Sequence, residues 1–191
     1  MSSTRELEST LPFYPPEGTN GARDPDHFEF AVYSLLPQDD AGRETLLDDL
    51  NNGDMANGQC CLAPSPDFAG ETLRDVYDYH IEAAKDDENT IHPHFFIVAD
   101  QEDWNESGVL VVYLLADRTL NKDEDEYEDE YVVGVGRCSV DDADCAGVNL
   151  DISKLSWIEF KDSWHRDGWD DDEPYTNPRY SKYHFETGEE N

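Results

Sequence analysis

Residues 94–117 read HFFIVAD, a polar connection, then VLVVYLLAD. Both runs are apolar at successive positions, which marks strands covered on each face rather than strands with one wet side. The connection, residues 100–108, carries no helical pattern. A parallel crossover needs about a dozen residues or more, so the two strands must be adjacent and antiparallel. A hairpin buried on both faces demands helices above and below it.

The rest of the chain supplies such elements. FEFAVYSLL at 28–36 ends at Pro37 and reads as a first buried strand. Leu46, Leu47 and Leu50 fall at helical spacing in 43–50, with Asn51-Asn52-Gly53 as a stop. A short strand at 59–63 precedes Pro64-Ser65-Pro66, and 71–85 carries an apolar stripe of Leu73, Val76, Tyr77 and Tyr79 with His80, then Ile81 and Ala84. Pro93 then sets off the third strand, 95–99. The fourth spans 109–116 and the fifth 131–138, where Gly134 and Gly136 suit a bulge or a close backbone approach. Residues 141–147 read as an acidic loop, and 148–152 as a short sixth strand. Ser156 and Glu159 match a capping box opening a helix at 157–165, which would bury Ile158 with Phe160 or Trp164.

The expected fold is α/β, bordering on α+β. It is a single mixed sheet of five to six strands with a parallel N-terminal part and an antiparallel meander, packed by two or three helices. Residues 28–169 form that domain. Residues 1–27, rich in proline and glycine, read as a mostly disordered arm with Leu11, Phe13 and Tyr14 pinned to the domain. Residues 170–191 read as a polar and aromatic tail.

Charge decides which partners fit. The formal net charge is -33, from 46 acidic and 13 basic side chains. That opposes direct binding to nucleic-acid phosphates and to anionic membranes, and favours a basic protein or a cation. No stretch has the roughly 18 apolar residues of a membrane helix. The N-terminus lacks a signal-peptide pattern, and four cysteines form no disulfide framework. A cytoplasmic chain with reduced thiols is the expectation.

The succession HFFIVAD, VLVVYLL, VVGV and NLDISKLSWIEFKDSW, closing at Asp167-Gly168-Trp169, resembles a family of small bacterial and fungal proteins catalogued only as a domain of unknown function. The resemblance spans residues 28–169. It implies a compact α/β domain with extra tails, and brings no catalytic residues with it.

Candidate chemistry gathers at strand ends. Asp100 and Asp117 each close a strong strand, but an antiparallel pair puts them at opposite edges of the sheet. If the first and third strands are parallel neighbours, Asp39, Asp40 and Asp100 share one edge as catalytic candidates, with Asp103 and Trp104 beside them for binding. Solvated loop acids and a helix cap are the plainer account. Asp142-x-Asp144-x-x-Gly147 resembles the start of a calcium loop, but Ala146 and Ser153 stand where oxygen ligands are needed. The histidines and cysteines have no zinc spacing, so neither a metal nor a cofactor is expected.

Three functional readings follow. The first is a non-enzymatic acidic interaction protein that recognises a basic partner. The alternative is an accessory protein or enzyme of small-molecule metabolism using the strand-end carboxylates. A tail of Tyr175, Tyr180, Tyr183 and Phe185 would suit a third role, docking a scaffold partner.

Overall fold

The computed structural model describes residues 3–17, 28–63, 66–86, 90–117 and 131–164; the aromatic tail lies outside them. Their elements run α1 (Thr4–Thr10), β1 (Glu29–Ser34), α2 (Asp40–Asn51), β2 (Cys60–Leu62), α3 (Leu73–Ala83) and β3 (Ile91–Ala99). There follow α4 (Trp104–Ser107), β4 (Val109–Asp117), β5 (Tyr131–Cys138), α5 (Val140–Asp151) and α6 (Trp157–Ser163). The strands form one sheet in the order β2-β1-β3-β4-β5. β1 pairs in parallel with β2 and with β3, and β3-β4-β5 is an antiparallel meander. The fold is α/β, as the two apolar runs require.

Both faces are covered. Phe30, Val32, Phe95, Ile97, Val109 and Val111 pack beneath Leu46 and Leu50 of α2, Ala143 and Ala146 of α5, and Trp157 and Phe160 of α6. Ala31, Tyr33, Phe96, Val98, Leu110 and Val112 face Leu73, Val76 and Tyr77 of α3, together with Leu11 beyond α1. The placement of α2 and α3 follows from handedness. Right-handed crossovers that step in opposite directions along a sheet must lie on opposite faces.

Three helical segments depart from the expectation. Residues 4–10 form α1, not a disordered arm, because Ser3 and Glu6 make a reciprocal capping box. Leu11 is buried, and Phe13 carbonyl accepts from Val133 N at 3.0 Å. The acidic loop and sixth strand expected over 141–152 are instead the single helix α5. Its Val140, Ala143, Gly147 and Leu150 turn inward at helical spacing. Gly147 permits the approach, since a Cβ there would lie 2.7 Å from the Phe30 ring. The connection before β4 contains the single turn α4. In α6 the capping box of Ser156 and Glu159 is present, but Trp157, Phe160 and Lys161 are buried and Ile158 is exposed.

β3 begins earlier than expected and includes Pro93. Between Glu29↔Ile91 and Ala31↔Phe96 the register slips, so His92-Pro93-His94 bulges out of the ladder. Proline has no N–H to give, and a bulge is where a sheet tolerates it. Gly134 and Gly136 serve close approach: a Cβ would lie 2.5 Å from Trp157 and 2.4 Å from Phe160. Among the described residues no helix is long and apolar enough to cross a membrane.

Gly108 turns the chain into β4 with φ 73 and ψ -178, a conformation essentially reserved for glycine. A Cβ there would stand 2.3 Å from the Cys138 carbonyl oxygen. Gly108→Ala should therefore lower unfolding free energy by about 3 kcal/mol or more, read from urea denaturation. A loss below about 1 kcal/mol would show that the turn relaxes freely.

Candidate functional site

The carboxyl edge of the parallel strands is where open α/β sheets place ligands. Each carboxylate expected there has a structural partner or role. Asp39 is the N-cap of α2 and accepts from Gly42 N at 2.9 Å. Asp40 is exposed in the first turn, where the helix dipole favours an anion. Asp100 leaves the end of β3 and points at β5. Its two oxygens accept from Arg137 Nη1 at 2.8 Å and Nη2 at 2.7 Å. Both side chains are about nine-tenths buried, and Arg137 also donates to the Gly108 carbonyl at 3.3 Å. Asp103 accepts from Ser107 Oγ at 2.7 Å, closing α4 on itself. Trp104 donates its indole N–H to Asp49 of α2 at 3.0 Å, and Asn105 donates to the same oxygen at 3.3 Å. Among the described residues no group of three or more His, Cys, Asp or Glu is placed to hold a metal ion.

The Asp142–Asp144 pair is helical, so the two side chains leave the backbone roughly 200° apart. Asp142 accepts from Ser139 Oγ, as part of the start of α5. Asp144 turns into the core and accepts from Asn57 N and, at 2.9 Å, from Gln59 N. That corrects the calcium-loop resemblance: Asp144 holds the lead-in to β2.

The histidines and thiols are similarly committed. His92 Nδ1 accepts from His94 N at 3.1 Å, so its Nε2 carries the proton and donates to Asp151 at 2.8 Å. That hydrogen bond holds the Asp151 carboxyl below its ordinary range. With both ring nitrogens engaged, His92 has no lone pair for a substrate. His80 shares a 2.9 Å hydrogen bond with the Tyr33 hydroxyl through Nδ1, and its Nε2 is buried without a hydrogen-bond partner. Burial pushes His80 down to about 3. All four cysteines carry free thiols. Cys60, beside Asp144, and Cys145 are pushed up mainly by burial, and Cys61 is pushed up to about 11 by burial and then by Glu29. A nucleophilic thiol needs the opposite shift.

What remains at this edge is a surface and a cleft. Asp40, Glu44 and Asp48 are exposed at four-residue intervals along α2. Glu102, Asp103 and Glu106 are exposed around α4, which is tied to α2 through Asp49. Beside them a cleft of about 50 Å³ opens between β1, β2 and α2, lined by Ser34, Gln38, Arg43, Leu62, Pro66 and Phe68 among others. Strand-end position picked out the acids, but nothing in the sequence pattern marked Gln38, Arg43 or Arg137.

No protein-family model matches the chain, and neither a curated protein nor a solved structure does.

Two outcomes test this assignment of roles. Asp100→Asn leaves a buried guanidinium half-paired and should destabilise the protein by about 3 kcal/mol or more. Adding Arg137→Met should restore much of that loss in a double-mutant cycle, whereas additive losses would show that the two groups do not interact. His80 gives a pH signature. Its folded pKa lies below the unfolded value of about 6.5, so the unfolded chain binds the extra proton and stability falls as pH drops from about 6.5 toward 3. The contribution is at most about 1.4 kcal/mol per pH unit. His80→Gln should flatten that slope in urea titrations between about pH 6 and 4; an unchanged slope would place the titration elsewhere.

Proposed function

We propose that the chain is a non-enzymatic interaction domain whose acidic α2–α4 face recognises a basic protein. The observation that carries this reading is the ordered row of Asp40, Glu44 and Asp48 on α2. Like charges four residues apart weaken a helix by about 0.2–0.5 kcal/mol per pair, so apart from the place of Asp40 in the first turn the spacing of the row does not serve the helix itself. The opposite side of α2 is fixed by buried Leu46 and Leu50, so these carboxylates stand on an anchored element. A net charge of -33 adds a long-range field that draws a cationic partner in. The candidate general bases, nucleophiles and strand-end carboxylates described above are mostly spent on hydrogen bonds inside the fold. That supports binding over catalysis.

The reading separates a specific face from diffuse charge. Asp40→Asn, Glu44→Gln and Asp48→Asn together should weaken association with a lysine-rich peptide by about tenfold or more at low salt, measured by calorimetry. An equal neutralisation on and around α3, Glu71→Gln, Glu82→Gln and Asp86→Asn, should leave it within about twofold. Equal losses from both triples would mean that net charge alone is recognised.

A further inference from the structure

β2 leaves one place on the sheet edge open. In its parallel ladder with β1, Phe30 N donates to the Gln59 carbonyl at 2.7 Å and Ala63 N donates to the Val32 carbonyl at 3.1 Å. Phe30 is registered on Cys60 and Val32 on Leu62, so Cys61 supplies the groups of β2 that turn inward between them. Successive peptide groups of a strand alternate in direction, and Cys60 and Leu62 therefore turn their N–H and C=O away from β1. Cys60 shows that direction: both of its groups bond to the Asn51 side chain at 3.0 Å. Among the described residues nothing caps the same pair on Leu62, two residues on, and Leu62 is 38% exposed. An uncapped pair on a sheet edge is a template for another strand.

We infer that Leu62 is the docking point for an extended basic segment of another protein, which adds an antiparallel strand beside β2. This rests on the reading of the acidic face and says how the partner lies against it. One residue of an antiparallel strand exchanges both hydrogen bonds with the residue opposite, as the Asn51 amide does with Cys60. Its side chain falls on the same face as that of Leu62, over the cleft that Leu62 lines with Leu46 and Pro66, so an apolar residue fits there. Charge sets the rest. Arg43 lines that cleft and Asn51 holds Cys60, so the flank of α2 that carries both overlooks β2. The Arg43 charge is met by Asp67 at 3.7 Å. Exposed Asp40 and Glu44 lie about 60° and 100° farther round the helix from Arg43, away from buried Leu46 and Leu50. Side chains two places apart in a strand share a face. In a strand antiparallel to β2, a basic residue two places before the apolar one lies past Ala63, toward the end of α2 that carries Asp40 and Glu44. A second copy of this chain is a poor occupant, since two bodies of net charge -33 repel each other.

Amide-resolved NMR titration of the full chain at low salt tests this, with acetyl-Lys-Thr-Lys-Thr-Val-Thr-amide as the probe. Saturable shifts should centre on Cys61, Leu62 and Ala63 and extend to Asp40 and Glu44, and solvent exchange of the Leu62 amide proton should slow. The same peptide N-methylated at its valine keeps every charge but loses the donor to the Leu62 carbonyl. It should bind about tenfold more weakly. A peptide with threonine in place of both lysines should also lose about tenfold. Equal binding of the N-methylated peptide, with shifts at Asp40, Glu44 and Asp48 and none at Leu62, would overturn strand addition and leave the acidic face standing. Equal binding of the uncharged peptide would overturn the basic partner. No saturable binding by any of the three would overturn both.

Discussion

Burial of β3 and β4 on both faces is the constraint from which the rest follows. Phe95 and Ile97 look toward one helical layer and Phe96 and Val98 toward the other. Neither layer can be omitted without exposing large apolar side chains, each worth about 1.5–3 kcal/mol when fully buried. An open sheet covered on both faces still has two edges, whose unpaired backbone groups invite association. Here side chains from the covering helices close part of each edge. Asn51 of α2 acts like an added strand beside β2: it donates to the Cys60 carbonyl and accepts from Cys60 N, both at 3.0 Å. At β5, Val135 N donates to Glu8 of α1 at 3.2 Å, and Val135 carbonyl accepts from Lys161 of α6 at 2.6 Å. Helices required to cover the faces thus also blunt the edges.

This arrangement explains why so many chemically capable residues lie inside without forming a catalytic constellation. A buried polar group must be paired or it destabilises the fold. Asp144, His92 and Asp100 are buried or nearly so, and the partners they find are backbone amides, Asp151 and Arg137. These contacts join elements distant in sequence: α5 to the lead-in of β2, β3 to the end of α5, and β3 to β5. Each works as a tie across the layers. The carboxylates free of such ties, Asp40, Glu44 and Asp48, face solvent. The amide atoms of Gln38, the Tyr77 hydroxyl and His80 Nε2 are exceptions, buried without a hydrogen-bond partner.

The same logic explains what could be read from the sequence and what could not. β3 and β4 announce themselves because two-sided burial leaves an uninterrupted apolar run, and the length of their connection fixes the hairpin. Ser156 and Glu159 were legible because capping is a local interaction. Ser3 and Glu6 form the same kind of box, but they stand in a stretch whose prolines and glycines read as a disordered arm. α5 escaped because its inward positions are Ala143, Ala146 and Gly147, small residues that pack tightly yet contribute little hydropathy, between aspartates that favour turns. At the site, the strand-end position of Asp100 was visible in the sequence. Its commitment to Arg137 depends on the β4–β5 register, Leu110↔Arg137, which no local pattern encodes. The unpartnered amide of Gln38 is a property of three elements meeting, and it leaves no trace in the order of residues.

Where the acids stand bears on how they can act. A carboxylate on a mobile segment must be ordered when a partner binds, at about 0.5–1.5 kcal/mol for each side chain immobilised. The row on α2 avoids the backbone part of that cost. Its helix is held by Leu46 and Leu50 in the core, by Asn51 on β2 and by Asp39 at its start. α4 is too short to hold itself, and it gains its position from Trp104 and Asn105 sharing one oxygen of Asp49. Asp49 is therefore spent as a strut, while Asp48 beside it stays exposed. Two neighbouring aspartates thus divide the labour: one fixes the spacing between the acidic helices, and the other extends the charge that the spacing presents.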